Sequence, residues 1–188
     1  MIDFFKFYNY TYIWYNSNVG ELKKEGETVK IDYLEMVKYY GKEILESENM
    51  QKEKTFMQHG TISVFDHSVA VAVECLKLAH RLGLPVDQKT LIRGALLHDY
   101  FLYDWHESDK SHRLHGFRHA KTALINAEKE YELNEIERNM IYCHMFPLNL
   151  RIPKYRESTL LTIADKIVAT KETLAPYIKT LSMCERYI

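Results

Sequence analysis

The sequence predicts an all-α domain, and two observations support this fold class. The chain of 188 residues contains only 7 Gly and 4 Pro, so residues that interrupt helices are few. Apolar residues also recur at helical spacing in several long segments. Hydrophobic residues make up 46% of the chain, which is enough for one domain with a core, and the length is short for two domains. We therefore expect a single helical bundle.

The predicted helices follow one another closely along the chain. The strongest apolar pattern runs from Asp66 to Leu82 and ends before Gly83, and the next helix begins where Asp87 or Thr90 could cap it. That second helix is expected to run as far as the His98-Asp99 pair. The other expected helices cover residues 31–47, 116–131, 134–145 and 157–172, with a last short one near the C-terminus.

The first 30 residues differ from the rest of the chain. The aromatic run Phe4–Tyr15 is interrupted by polar side chains, is too short to cross a bilayer and lacks the features of a signal peptide. We interpret it as an aromatic arm that packs on the helical body or on a second subunit, which would make a homodimer. The charged segment Gly20–Lys30 is expected to form a turn or loop.

Charge and cysteine content limit the partners and the location. The chain has 25 basic and 26 acidic residues, so no basic face emerges and nucleic acid is not an expected partner. Its three cysteines, Cys75, Cys143 and Cys184, are odd in number and widely spaced, which suits a reducing compartment. We expect a soluble, cytoplasmic protein that does not associate with membranes.

Carboxylates interrupt two of the apolar stripes. His98 and Asp99 follow the spacing of the apolar residues before them, and Asp165 lies in a later stripe with Leu161 and Val168. An unpaired buried carboxylate costs several kcal/mol, so such residues need a cation or strong hydrogen-bond donors. Two carboxylates that share a core with histidines indicate a bound metal ion.

Three further histidines lie on apolar faces of other predicted helices. These are His67, His119 and His144, and helical bundles assemble metal sites from side chains on different helices in this way. Singly, each histidine could be a hydrogen-bonded core residue, and Lys166 or Arg93 could neutralise an aspartate. Nitrogen and oxygen ligands without cysteine suit one or two divalent ions of Fe, Mn, Co, Ni, Zn or Mg.

The ordered series of these residues resembles the HD-domain superfamily of metal-dependent phosphohydrolases. The resemblance runs from about Gln58 to Leu174 and is similar to a branch of small stand-alone bacterial members. It is carried by five stretches: Phe65-Asp66-His67-Ser68, Gly94-Ala95-Leu96-Leu97-His98-Asp99, Leu114-His115-Gly116-Phe117-Arg118-His119-Ala120, His144-Met145-Phe146-Pro147-Leu148 and Ile163-Ala164-Asp165-Lys166. It implies an HD-domain-like helical bundle with a metal site in its core at residues 51–188. Residues 1–50 would be an aromatic arm and a helix that pack on this body.

The resemblance implies a ligand set and a reaction. His67, His98, Asp99 and Asp165 would hold one metal, and some members add two histidines and a second metal, which here would be His119 and His144. His115 is a rival to His119, one helical turn earlier. The implied reaction is hydrolysis of a small phosphorylated substrate, either a phosphomonoester or a nucleotide phosphate.

Further roles follow from that reaction. Asp99 and Lys166 are the expected catalytic residues, and His115, Arg118 and Lys166 are expected to bind the phosphate. Many members have a lysine shortly after the HD pair, whereas this chain reads Tyr100-Phe101-Leu102-Tyr103. That departure bears on which substrate the family resemblance implies, and it leaves the implied metal ligands unchanged.

Two other functions stay open at the level of sequence. The same scaffold with six ligands and two irons supports oxygenases that cleave carbon–carbon or carbon–phosphorus bonds. A non-catalytic sensor or ligand-binding module is the other alternative, although its decayed members usually lose part of the ligand set. A zinc-protease site is excluded because the chain has no His-Glu-x-x-His motif.

Overall fold

The fold is all-α, and a cluster of histidine and aspartate side chains of the kind that binds metal ions lies in its core. The computed structural model describes residues 4–5, 13–16, 21–24, 27–29, 31–59, 61–103 and 115–184, with side chains over 31–58, 61–103 and 118–175. The described residues form eight α-helices: α1 (Tyr33–Tyr40), α2 (Lys42–Leu45), α3 (Glu48–Lys52), α4 (Val64–Arg81), α5 (Gln88–Leu96), α6 (His115–Glu130), α7 (Glu135–Cys143) and α8 (Arg156–Cys184). In that part of the chain, no helix combines the length and the apolar character that a membrane crossing requires.

The N-terminal residues contain short strands that the sequence analysis did not predict. The strands β1 (Phe4–Phe5), β2 (Ile13–Asn16), β3 (Glu21–Lys24) and β4 (Glu27–Val29) form an antiparallel sheet in that order. The expectation of a turn or loop over residues 20–30 was therefore wrong. In the β3–β4 pair Leu22 lies opposite Val29, and strand pairing of this kind outweighs a charged local composition. The side chains of the aromatic run lie outside the described residues, so its packing stays a prediction.

A second, two-stranded sheet precedes α4. It pairs β5 (Met57–His59) with β6 (Ile62–Ser63) and follows a 3-10 turn at Glu53–Thr55. The hydroxyl of Ser63 accepts a hydrogen bond from the Asp66 backbone N–H and so caps α4. This hairpin is therefore tied directly to the helix that carries His67.

The helix predicted over residues 31–47 is divided into α1 and α2, and the short helix α3 follows it. Gly41 ends α1, and Ser47 caps α3 through a hydrogen bond from the Met50 backbone N–H. A Cβ added at Gly41 would lie 2.4 Å from the Leu96 side chain and 2.7 Å from the Val37 carbonyl oxygen, so the close approach of α1 and α5 requires glycine. Helix α1 lies against α4 and α5.

The central helices agree with the predicted pattern, with two corrections. Asp87 caps α5 by accepting from the Thr90 backbone N–H, and Asn134 with Glu137 forms a capping box at the start of α7. Helix α5 ends at Leu96, so His98 and Asp99 lie in the turn beyond the helix and not on it. Helix α8 is continuous from Arg156 to Cys184, across Pro176, where a separate last helix was expected.

The core is formed where α4 packs against α5 and α8, and where α7 packs against α5, α6 and α8. Helices α5 and α7 approach closely at Gly94, since a Cβ there would lie 2.6 Å from the Met140 sulfur. The buried apolar residues of these helices surround the His98-Asp99 turn, whose side chains are buried as well. The fold thus places the polar turn at the junction of five helices.

Candidate metal centre

The first group of candidate ligands joins α4, the turn after α5, and α8. His67, His98 and Asp165 each offer one ligand atom, and these atoms lie within 4.8 Å of one another. The His67 Nε2 atom is 3.2 Å from Asp165 Oδ1, and His98 Nε2 is 3.8 Å from the same oxygen. Both histidines are fully buried. The structure therefore brings together three of the four residues expected to hold one metal.

The second group joins the same turn to α6 and α7. Asp99, His119 and His144 also offer ligand atoms within 4.8 Å of one another, and all three side chains are buried. Asp99 Oδ1 lies 3.2 Å from His119 Nε2 and 3.4 Å from His144 Nε2. The other oxygen, Oδ2, lies 3.4 Å from His98 Nε2. The Asp99 carboxylate therefore extends between the two groups, with one oxygen towards each.

Backbone carbonyls fix the tautomers of two of the histidines. The Nδ1 atom of His98 is 2.8 Å from the Ala95 carbonyl oxygen, and the Nδ1 atom of His144 is 2.8 Å from the Ile141 carbonyl oxygen. A carbonyl only accepts, so both Nδ1 atoms carry the proton and both Nε2 atoms of the neutral rings present a lone pair to the centre. This is the state in which histidine binds a metal ion.

A carboxylate orients the third histidine. The Nδ1 atom of His67 donates to Glu172 Oε2 at 2.8 Å, which leaves Nε2 facing Asp165. Burial lowers the pKa of His67, but the hydrogen bonds to Asp165 and Glu172 outweigh it and raise the pKa to about 10. Sequence reasoning did not identify Glu172. The seven-residue spacing from Asp165 puts the two carboxylates on one face of α8 and was a signal that could have found it.

The carboxylates stay ionised despite their burial. Burial raises the pKa of Asp99, but the surrounding His98, His119 and His144 hold it well below the usual range. Burial likewise raises the pKa of Asp165, but its hydrogen bond with His67 and the nearby His98 ring outweigh burial and lower the pKa. Burial lowers the pKa of His144. The two ionised carboxylates and the neutral His144 are in the protonation states that metal binding needs, whereas His67 would release the proton that its raised pKa retains.

Unpartnered atoms test whether a cation fits this cluster. Among the described side chains, the buried atoms His98 Nε2 and Asp99 Oδ1 make no hydrogen bond. The Nε2 atoms of His119 and His144 are only 2.8 Å apart. Two ligands bound to one ion at about 2.1 Å and at right angles would be about 3 Å apart, so this spacing suits a shared cation. The donor set and the unpartnered atoms therefore fit one or two divalent ions.

The other predicted site residues lie around this cluster or outside the described side chains. The Nζ of Lys166 donates to the carbonyl oxygens of His144 and Thr162, each at 3.3 Å. The Arg118 side chain is exposed on α6, and the side chain of His115 is outside the described residues. Arg93 does not neutralise either aspartate of the centre, since its guanidinium binds Glu137 at 2.9 Å and Glu43 at 3.1 Å.

The segment after the HD pair has a packing role. Tyr100 and Phe101 are each 1% exposed, so the two residues that follow the HD pair are core aromatic residues. The Tyr103 ring packs against Phe101 at a tilt of 49°, with ring centroids 5.0 Å apart. Residues 104–114 lie outside the described part of the chain.

Comparison with known proteins identifies the family. A family model described as the HD domain matches residues 64–170, which is more than half of the 188-residue chain and includes all six candidate ligands. Searches of the curated proteins and of the solved structures gave no match. The match and the buried His/Asp cluster agree with each other, and the chain belongs to the HD-domain family.

Proposed function

We propose that this protein is a metal-dependent phosphohydrolase acting on a phosphomonoester or a nucleotide phosphate. The HD domain is typical of metal-dependent hydrolases, most of which act on phosphates. The observation that carries the proposal is the position of Asp99, a buried ionised carboxylate that extends one oxygen towards each of two groups of ligand atoms. Such an arrangement suits a hydrolytic centre with one or two cations.

Residues of the chain would orient the metal ligands and the attacking water. Divalent ions bound here would supply a water of lowered pKa and polarise the phosphoryl oxygen. The fixed tautomers of His98 and His144 keep their lone pairs on the centre, so little reorganisation is needed on binding. Asp99 Oδ1 makes no hydrogen bond within the described side chains, so it can accept one from the attacking water and orient it.

Cationic side chains near the centre are proposed to bind the phosphate. Lys166 follows Asp165 directly, and its Nζ lies against the His144 carbonyl, close to the ligand atoms without being one of them. To contact a phosphate, Nζ would exchange its two carbonyl partners for phosphoryl oxygens. Arg118, exposed one residue before His119, and His115 on the same helix are the other proposed phosphate ligands.

The test measures metal content and phosphate release on the same preparation. The protein is purified without added metal, analysed for bound elements, and assayed with a panel of nucleotides and phosphomonoesters. We expect one or two metals per chain and phosphate release that a chelator stops. Asp165→Ala and the isosteric Asp165→Asn should lose both, whereas Thr170→Ala, an exposed position on the same helix, should keep both.

Other outcomes would contradict the proposal in distinct ways. Two irons per chain with oxygen consumption and no phosphate release would indicate an oxygenase of the same scaffold. Absence of metal and of turnover, even after metals are added back, would indicate a binding module. Full activity of a metal-free Asp165 variant would remove the proposed centre altogether.

A further inference from the structure

Gln58 contacts the metal centre from a part of the chain that the family match does not include. Its amide Nε2 donates to Asp99 Oδ2 at 2.6 Å, across 41 residues of sequence. The HD-domain match begins at residue 64, so Gln58 and the hairpin that carries it precede the matched segment. The contact is therefore additional to the ligand set that the family defines.

The chemistry of the contact fixes its direction. An ionised carboxylate only accepts hydrogen bonds, so the nitrogen of the Gln58 amide must be the atom that faces Asp99. The hydrogen bond holds Oδ2 on the side of His98, and rotation of the carboxylate would break it. The opposite oxygen, Oδ1, consequently stays directed at His119 and His144, which are 3.2 and 3.4 Å away.

The oxygen of the Gln58 amide is buried in a position that lowers the stability of the fold. The Oε1 atom of Gln58 is buried and accepts no hydrogen bond from the side chains and backbone that the structure describes. A buried acceptor left without a donor destabilises the folded state. An apolar side chain could pack at this position without an unsatisfied oxygen. The presence of glutamine therefore indicates that its amide N–H group is retained for the contact with Asp99.

The backbone at Gln58 is shaped to aim this side chain. In the β5–β6 pair Met57 lies opposite Ser63 and His59 lies opposite Ile62, so Gln58 is the extra residue between two paired positions. Such a bulge redirects a side chain relative to regular strand alternation and is frequent beside active sites. The strand it pairs with ends at Ser63, the N-cap of α4, which carries His67.

We propose that Gln58 is a positioning residue of the metal centre. Its amide sets the rotation of the Asp99 carboxylate so that each oxygen serves one of the two ligand groups, and it thereby raises the affinity of the centre for divalent cations. The proposal rests on the metal centre of the proposed function, but it concerns a residue outside the ligand set. Loss of a hydrogen bond to a metal ligand typically weakens metal binding by about 10- to 100-fold.

The test is a titration of metal-stripped protein with Mn²⁺, in which the EPR signal of free Mn²⁺ gives the number of sites and their affinity. Gln58→Met removes the donor and keeps the length of the side chain, and Gln58→Leu serves as a second variant if the first does not fold. The matched control is Gln51→Met, since the Gln51 amide is exposed on α3 and donates to the Leu45 carbonyl. The thermal midpoint of each metal-free protein is measured alongside.

The two readouts distinguish positioning from a structural role. We expect Gln58→Met to bind Mn²⁺ about 10- to 100-fold more weakly than the unaltered protein, with a metal-free midpoint that is unchanged or higher because a buried unsatisfied oxygen has been removed. The control should match the unaltered protein in both readouts. A lower metal-free midpoint with unaltered Mn²⁺ affinity would overturn the proposal and leave the proposed function intact. Failure of the unaltered protein to bind Mn²⁺ would overturn both.

Discussion

Two histidines of the centre take their orientation from helix ends. The last carbonyl groups of a helix have no partner within it, and here two of them accept from histidine ring nitrogens. His98 lies two residues past the end of α5 and donates to Ala95, and His144 lies one residue past the end of α7 and donates to Ile141. Each histidine thus satisfies an otherwise unpaired carbonyl and in return has its metal-binding nitrogen defined.

The carboxyl group of Glu53, near the metal centre, has a raised pKa, whereas the pKa values of the aspartate ligands are lowered. Glu53 is 1% exposed and accepts from the Leu102 backbone N–H through Oε1. Burial raises the pKa of Glu53 to about 9. The charge of Asp99 adds to this rise, and the hydrogen bond from Leu102 opposes it. The side chain is therefore protonated in the folded protein at neutral pH, whereas in the unfolded chain it ionises near its ordinary pKa of about 4.3.

This difference predicts a pH-dependent effect of Glu53→Gln. The folded state binds one more proton than the unfolded state between the ordinary pKa and about 9, so the contribution of Glu53 to stability is complete at low pH and is lost as the pH rises. The loss is at most about 1.4 kcal/mol per pH unit. We expect Glu53→Gln, which cannot ionise, to gain stability relative to the unaltered protein as the pH rises from 5 to 8.

Urea unfolding of both proteins in a chelating buffer at the two pH values measures the effect. Other titrating groups are the same in both proteins, so the difference in unfolding free energy isolates Glu53. A difference that stays constant between the two pH values would show that the carboxyl group ionises in the folded state as it does in the unfolded chain.

At the scale of elements, α5 and α7 are joined by a buried ionic network. Arg93 is 8% exposed and Glu137 is 2% exposed, and the Arg93 guanidinium also donates to Glu43 and to the Glu132 carbonyl oxygen. Glu137 has a second function, because its Oε2 accepts from the Asn134 backbone N–H in the capping box of α7. The network therefore fixes the start of α7, the helix that His144 directly follows.

Removing the cation from this network should be strongly destabilising. Arg93→Met keeps much of the side-chain volume but leaves the Glu137 carboxylate buried without its partner, for which about 3–5 kcal/mol is expected. The matched control is Arg138→Met, since the ion pair of Arg138 with Glu128 is 48% and 40% exposed and should contribute less than about 1 kcal/mol. Urea unfolding measures both variants, and equal losses in the two would contradict a buried network.

The elements also show which features local sequence could predict. Helix α4 and the Asp87 cap of α5 followed from apolar periodicity and capping chemistry, which act over a few residues. Polar residues on apolar faces indicated a metal site, and the set of six candidate ligands was implied by the resemblance to the HD-domain superfamily. The strands β1–β4 and the β5–β6 hairpin were not predicted, because their stabilising partners lie on other strands and strands of two to four residues show no readable alternation. Gln58 was missed for the same reason.

At the scale of the whole molecule, five segments that are distant in sequence converge on one cluster. The ligand atoms come from α4, the turn after α5, α6, the end of α7 and α8, so the cluster forms only when the bundle is assembled. Two ionised carboxylates lie in it, and the side chain of Glu172 contacts His67 beside them. A cation bound there would compensate this concentration of negative charge.

Metal binding should consequently stabilise the entire fold. A cation that binds the folded state alone adds about 2.7 kcal/mol at a free concentration 100 times its Kd. For a chain of this size the increase corresponds to a rise of about 5–10 °C in the thermal midpoint. We expect EDTA to lower the midpoint and added Mn²⁺ to restore it, with Asp165→Asn responding much less than the unaltered protein. An equal rise in both proteins would mean that Mn²⁺ binds elsewhere on the surface, because Asp165 would then have no part in holding the ion.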